Sequence, residues 1–422
     1  MTSLKTQASC DDSNEKGTIT VSEAQQNILS AITSIGGLEK IHILQAVGRV
    51  LAETIISPIN VPSHCNSAVD GYAISQNDLA GGDETKELKV ITKVVAGHPF
   101  EGTLKSGQAI QIMTGAQMPA NCDTVIMQEH VERHGDVIRI DGRHKAGQNV
   151  RQAGEDIQQG TTTLEPGAKL TPPQIGLIAS LGFTEITVKV PLRVTVFSTG
   201  DEILNIGEAP REGCIYDSNR YSLIAALKKL GCHVTDMGII ADEPRQLKKA
   251  FLLASKTADV ILTSGGVSVG DADYTKQVLS ETGEMNFWKV AMKPGRPMAF
   301  GKIGGATFFG LPGNPVAVMV TFYQFALPAL QKMTGANQPL VSPLISARCT
   351  SPIRKLPGRA EFQRGVLSQN EQGVWQVCTT GQQGSGVLRS MSEANAFIIL
   401  EHEQTSVKEG EWVNTQPFSG LF

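Results

Sequence analysis

The chain has 422 residues, is 41% apolar and 18% charged, and sets 37 Lys and Arg against 41 Asp and Glu for a formal charge of -4. This composition belongs to chains that fold, and the small negative charge excludes a protein held to nucleic acid by counterion release. The length predicts roughly two to four domains, and 43 Gly with 20 Pro punctuate it with turns. Seven cysteines (Cys10, Cys65, Cys122, Cys214, Cys232, Cys349, Cys378) are scattered with no C-x-x-C pair and no tight Cys/His spacing, against both a disulfide framework and a zinc knuckle.

Residues 1–17 contain no apolar signal-peptide core and are expected to be a disordered tail of a cytoplasmic protein. Thr20 and Glu23 have capping-box spacing ahead of Ala24, Ile28, Ala31 and Ile35, which predicts a helix closed by Gly36-Gly37. Residues 18–60 together with 151–190, where Pro172-Pro173 opens the helical run QIGLIASLG, make an N-terminal linking domain of mixed, partly helical character. Between them, 61–150 reads as an inserted β-rich domain, with strands in LKVITKVV, AIQIM, DTVIMQ and DVIRID. From Pro191 to residue 336, apolar strands (RVTVF, HVTDMGII, DVILT, NFWKVAM, PMAFG, ATFFG) alternate with helices (RYSLIAALKKLG, EPRQLKKAFLLAS), the pattern of βαβ units. The apolar stretch Val316–Leu330 is interrupted by Thr321, Tyr323, Gln324 and Pro328, falls short of the roughly 18 to 20 residues a membrane span needs, and is read as a buried helix. Residues 337–422 return to strands (LISARC, EFQRGVL, VWQVC, AFIILE) and form a small C-terminal β-barrel-like domain. The fold class is therefore α/β multidomain: a central doubly wound, mostly parallel α/β domain with an inserted β-rich domain, an N-terminal mixed helical segment and the C-terminal β domain.

Open α/β sheets bind ligands beyond the carboxyl ends of their strands. The loops after RVTVF, DVILT and ATFFG contain Ser198, Gly200, Asp201 and Glu202; Ser264, Gly265, Gly266, Ser268, Gly270, Asp271 and Asp273; and Pro312, Gly313, Asn314 and Pro315. Glycines let backbone N–H groups approach an oxyanion. A single such loop can exist only to make a tight turn, whereas three in one domain point to a phosphorylated ligand. The domain holds neither G-x-x-x-x-G-K-[ST] nor G-x-G-x-x-G, so a P-loop ATPase and a dinucleotide fold are both unsupported. Carboxylates beside phosphate loops call for a hard cation, here Mg2+, bridging them to phosphate oxygens. Asp217 and Asp242, each before a helix, can serve that site or act only as caps. Lys289, Lys293 and Arg296 in FWKVAMKPGRP supply positive charge at the same sheet edge.

The chain resembles the molybdopterin molybdenumtransferases, the MoeA proteins and the homologous C-terminal domain of gephyrin, from Thr20 to Phe422. The segments that carry the resemblance are NSAVDGYAI, IMTGAQMP, NVRQAGEDI, STGDEI, YDSN, TSGGVSVGDADYTK, FWKVAMKPGRPMAFG and LPGNPVAV, in that order. The resemblance implies a molybdopterin-binding central domain and the final step of molybdenum cofactor synthesis: molybdate enters the dithiolene of adenylylated molybdopterin and AMP is released, with Mg2+. It implies Asp70, Asp156, Glu202, Asp242, Asp273, Lys289 and Lys293 as catalytic, with Glu202, Asp242 and Asp273 on the metal. It adds Thr114, Arg151, Ser218 in YDSN and Ser385 as substrate contacts. It further implies a homodimer with shared active sites, Asp70 serving the site of the other subunit, and exchange with the preceding adenylyltransferase and the acceptor molybdoenzymes. The alternative is a gephyrin-type scaffold that binds molybdopterin without a primary catalytic role. No membrane partner is expected.

Overall fold

The run Arg193–Thr199 is buried at every position after Arg193, as a parallel strand covered on both faces must be. It belongs to a seven-stranded sheet ordered Thr18–Ile19, Gly283–Val290, Pro297–Ile303, Ala306–Leu311, Val260–Ser264, Arg193–Thr199, His233–Ile240. The last four strands are mutually parallel, and the Pro297–Ile303 strand runs antiparallel to both of its neighbours. Arg193–Thr199 lies between its sequence successor and Val260–Ser264, so strand order reverses there and the loops on either side part. Alternate side chains serve two cores. Val194, Val196 and Leu262 pack with the helices Val21–Ala31, Asn219–Lys229 and Pro315–Thr321. Phe197 and Ile261 pack with Leu247 and Phe251 of Pro244–Thr257 and with Val278 and Leu279 of Tyr274–Thr282, and the Phe251 ring lies 5.3 Å from Phe197, tilted, and 5.6 Å from Phe308, edge to face.

The computed structural model describes residues 18–265, 274–337 and 343–420, and the tail assigned to 1–17 lies outside them. The chain divides into two compact units, one of Met1–Glu39, Gly48–Val50 and Val188–Phe422, the other of Lys40–Val47 and Leu51–Thr187. In the first, Thr20 and Glu23 form the expected capping box, the Glu23 N–H donating to Thr20 Oγ1 and the Thr20 N–H to Glu23 Oε2. The helix stops at Ala31, not at Gly36-Gly37; Ile32 is extended and the Ile35 N–H donates to the Met333 carbonyl. Burying Ile35 against the other helix wins over continuing the helical period. The stretch Val316–Leu330 is buried as read, and its interior holds a π turn at Phe322–Ala326 just ahead of Pro328. Proline cannot donate to the carbonyl four residues back, and that carbonyl, of Gln324, accepts from Gln25 Nε2 instead.

The C-terminal strands close into a five-stranded barrel, because Ala360–Gln369 pairs with Trp375–Thr379 on one side and Ala396–Leu400 on the other. Its strand Trp412–Pro417 is absent from the sequence reading: only Val413, Thr415 and Gln416 are buried, too few apolar positions to show a run. The second unit is built on a six-stranded sheet ordered Thr124–Met127, Gly71–Ile74, Gln108–Ile112, Thr85–Val94, Val137–Asp141, Glu132–His134. The strands expected in LKVITKVV, AIQIM, DTVIMQ and DVIRID are all in it. Among the described residues no helix is long and apolar enough to cross a membrane.

Candidate functional site

In the first unit the carboxyl ends of three adjacent strands, Ala306–Leu311, Val260–Ser264 and Arg193–Thr199, open into a cleft of about 730 Å³. The three glycine-bearing loops supply Ser198, Gly200 and Glu202, then Ser264 and Gly265, then Pro312, Gly313, Asn314 and Pro315. Asp217, Ser218, Asp242, Lys293, Arg296 and Ser385 also line it. Gly266, Ser268, Gly270 and Asp273 lie outside the described residues, as does Asp271. Lys289 is half-buried on Gly283–Val290, in register with Pro297, and is not among the residues that line the cleft.

Two glycines are required by close approach. A Cβ on Gly200, whose φ is +138°, would lie 2.6 Å from Glu202 Oε2, and one on Gly265, at φ +90°, would lie 2.6 Å from the Thr199 carbonyl oxygen. The first lets the Glu202 carboxylate fold onto its own loop. Asp242, from the neighbouring loop, meets it there: burial, then the charges of Asp201 and Glu202, hold the Asp242 carboxyl above its ordinary range, and its Oδ1 is buried without a donor. Asn219 ties the other loops together, its Nδ2 donating to Ser264 Oγ (2.8 Å) and to the Gly313 carbonyl (2.6 Å).

Asp217 is 3% exposed and is committed within the cleft wall. It accepts from Ser198 Oγ (3.1 Å), the Arg220 N–H (3.1 Å) and Arg220 Nε (2.8 Å), while Arg220 Nη1 reaches Asp236 at 2.5 Å. Burial acts to lower the Arg220 pKa, but its bonds to Asp217 and Asp236 outweigh it and the guanidinium is held firmly charged. Asp217 is thus both a helix-start carboxylate and a support for Ser198. Arg220→Met leaves that buried carboxylate without its cation and is expected to cost about 3–5 kcal/mol of stability, read as a fall in the urea midpoint.

The remaining candidates fall in the second unit. Asp70 Oδ1 accepts from the Thr114 N–H and from Thr114 Oγ1, both at 2.7 Å, and these bonds, backbone first, lower its pKa. Arg151 and Asp156 line a separate pocket of about 430 Å³ with Asn66 and Glu155.

Comparison with known proteins agrees along the chain. Residues 19–182 match the MoeA N-terminal region (domain I and II), 195–332 a probable molybdopterin binding domain, and 346–418 the MoeA C-terminal region (domain IV). The molybdopterin molybdenumtransferase of Haemophilus influenzae is 44% identical over 96% of this chain and 99% of its own. The chain belongs to the MoeA family. It is a transferase of molybdenum cofactor biosynthesis. The molybdopterin molybdenumtransferase of Nostoc is 32% identical over 91% of this chain and 90% of its own. Gephyrin of Dictyostelium discoideum is 32% identical over 96% of this chain, which spans 63% of that protein. The MoeA crystal structure from Pyrococcus horikoshii superposes with a TM-score of 0.83 at 30% identity, covering 95% of this chain and 100% of that one.

For a MoeA chain the sequence reading left out several groups that line the cleft or its rim. Asn219 ends the YDSN segment, and an amide at a helix start carries no signal along the chain that it will bridge two other loops. Arg359 and Gln383 reach the cleft from the barrel. Behind Gln383, and lining a smaller cavity of about 260 Å³ that shares Lys293 with the cleft, is Arg364. It is 1% exposed and donates to Ser390 Oγ and the Gly384 carbonyl. Burial pushes its pKa down to about 10. Its place in the strand EFQRGVL gave no sign of this, since a charged residue in an alternating strand reads as solvent-facing.

Proposed function

We propose that the chain catalyses the final step of molybdenum cofactor assembly, inserting molybdate into the dithiolene of adenylylated molybdopterin as AMP leaves by hydrolysis of the pyrophosphate link. The observation that carries this is the buried, donor-free Oδ1 of Asp242 beside Glu202, at the mouth of loops suited to phosphate. Two carboxylates forced together in a partly buried site, with an oxygen left unsatisfied, fit a hard divalent cation such as Mg2+. Among the described residues no three His, Cys, Asp or Glu side chains cluster closely enough to hold a metal between them. Glu202 and Asp242 would then hold it with Asp273, the remaining positions falling to phosphate oxygens and water. When bound, the cation would neutralise and polarise the pyrophosphate oxygens.

The other groups divide by charge. The Gly265 and Gly313 turns bring backbone close to the phosphates. Lys293, with side chain 58% exposed and 3.9 Å from Glu361, is a point charge at the border of the cleft and the barrel cavity. Arg364 behind it is a buried cation that donates to a hydroxyl and a carbonyl, Ser390 Oγ and Gly384 O, so the border favours an oxyanion such as molybdate. Lys289 supports the same edge from its strand. The assembly proposed for this reaction is a homodimer whose sites each draw Asp70, Thr114, Arg151 and Asp156 from one subunit and the cleft from the other. Cys65, Cys122, Cys214, Cys232, Cys349 and Cys378 are all free, which suits a reducing, cytoplasmic location; the partners before and after it would be the adenylyltransferase and the acceptor molybdoenzymes.

The test is to incubate the protein with adenylylated molybdopterin, Mg2+ and molybdate and follow AMP. Molybdate-dependent AMP release is expected, and its absence overturns the reading. Lys293→Gln and Arg364→Gln should each raise the half-saturating molybdate concentration about tenfold, as loss of one charge-assisted contact does; unchanged titrations would remove both from anion handling.

A further inference from the structure

We propose that the pocket lined by Asn66, Arg151 and Asp156 binds the aminopyrimidinone edge of a pterin ring; this rests on molybdopterin being the substrate. The pocket encloses about 430 Å³ within the second unit, room for a fused heterocycle. Asn66 is 8% exposed, and its Oδ1 is buried without a hydrogen-bond donor. An unsatisfied amide oxygen in a buried position costs stability unless a ligand completes it. The backbone of Asn66 is paired with Arg151 on one side and bridged to Gln117 on the other, which fixes the position of its Cα at the pocket.

The charges in the pocket select the ligand class. Arg151 and Asp156 are exposed, and among the described residues neither side chain has an ion-pair or hydrogen-bond partner. Glu155 already accepts from the Gln152 N–H at 2.9 Å. One guanidinium against two carboxylates disfavours a phosphate or molybdate anion. A neutral ring with adjacent N–H donors on one edge and a carbonyl on the next satisfies all the open groups. The N3–H and 2-amino group of a pterin present two parallel donors to a carboxylate, here Asp156. The 4-oxo oxygen accepts from the Arg151 guanidinium, and the second amino hydrogen is available to Asn66 Oδ1. Adenine, the other heterocycle of the proposed substrate, sets an acceptor nitrogen beside its amino group and would turn that lone pair on the carboxylate. The pocket therefore discriminates between the two ends of one substrate.

The experiment uses the full chain and a fluorescent probe, 6-hydroxymethylpterin, with 6-hydroxymethyllumazine, in which oxygen replaces the 2-amino group, as comparator. Saturable quenching by the wild type is expected, with lumazine at least about tenfold weaker because it faces Asp156 with a carbonyl. Asp156→Asn should weaken pterin about tenfold and erase its advantage over lumazine. Arg151→Met should weaken both probes alike, since both retain the 4-oxo group, and AMP binding should be unaffected by either substitution. No binding to the wild type, equal binding of pterin and lumazine, or displacement of pterin by AMP would each overturn the assignment. The outcome is separable from the fate of the proposed reaction. AMP release with no pterin selectivity removes only this pocket, and selective pterin binding without AMP release removes only the reaction.

Discussion

Glu202→Gln and Asp242→Asn are each expected to lower molybdate-dependent AMP release by about a hundredfold or more, the scale on which removal of one preorganised electrostatic group acts. Stability should move the other way. In the folded chain burial and the charges of Asp201 and Glu202 raise the Asp242 pKa, so the folded state holds that proton more tightly than the unfolded chain does. As pH rises from the unfolded carboxyl value through the raised folded one, the unfolded chain ionises first and stability is lost. Asp242→Asn removes that loss. In a metal chelator the variant should therefore melt above the wild type at neutral pH, and the difference should vanish once pH falls below the ordinary carboxylate range. Added Mg2+ should raise the wild-type Tm and leave Asp242→Asn nearly unmoved, a readout independent of turnover. A variant that loses activity together with Tm, or a Tm indifferent to Mg2+ in both proteins, would assign Asp242 a packing role.

The second large effect concerns assembly. In the proposed homodimer, Asp70→Ala and Glu202→Ala proteins should each be nearly inactive, the first through loss of the carboxylate that Thr114 orients and the second through loss of the cleft carboxylate. Unfolded together and refolded, they should recover about one quarter of wild-type activity, because half of the dimers are mixed and each mixed dimer has one intact site of two. The arithmetic requires that Asp70 act in the site of the opposite subunit. If Asp70 serves its own chain, every site in a mixed dimer lacks one group and no activity returns despite verified exchange. Asp70→Asn offers a milder probe, since it preserves shape and can still accept from the Thr114 N–H.

Much of the architecture was legible because its signals are local. Thr20 with Glu23 marks a helix start, since capping needs only a side chain three residues from a backbone N–H. The glycines at 200 and 265 mark turns, since only glycine tolerates both the positive φ and the close approach found there. Other features depend on neighbours distant in sequence. Ile35 leaves the helical period to meet Met333, Pro328 sits in a helix because Gln25 satisfies the carbonyl it leaves free, and the strand Trp412–Pro417 is defined by its pairing with Ile345–Cys349 and Ala396–Leu400.

The site divides in the same way. The sequence by itself determined which loops would carry it, because strand, glycine turn and carboxylate are contiguous along the chain and a parallel sheet sends its strand ends to one edge. Only the tertiary structure decided what each charge does there. Asp217 and Asp242 look alike as carboxylates before helices, yet Asp217 is neutralised by Arg220, while Asp242 is set against Asp201 and Glu202 with an oxygen left unpaired. Arg364 looks like a surface residue of an alternating strand, yet barrel closure buries it against the neutral acceptors Ser390 Oγ and Gly384 O. Coulomb and desolvation energies depend on distance through space and on the water excluded, and neither quantity is a property of spacing along the chain.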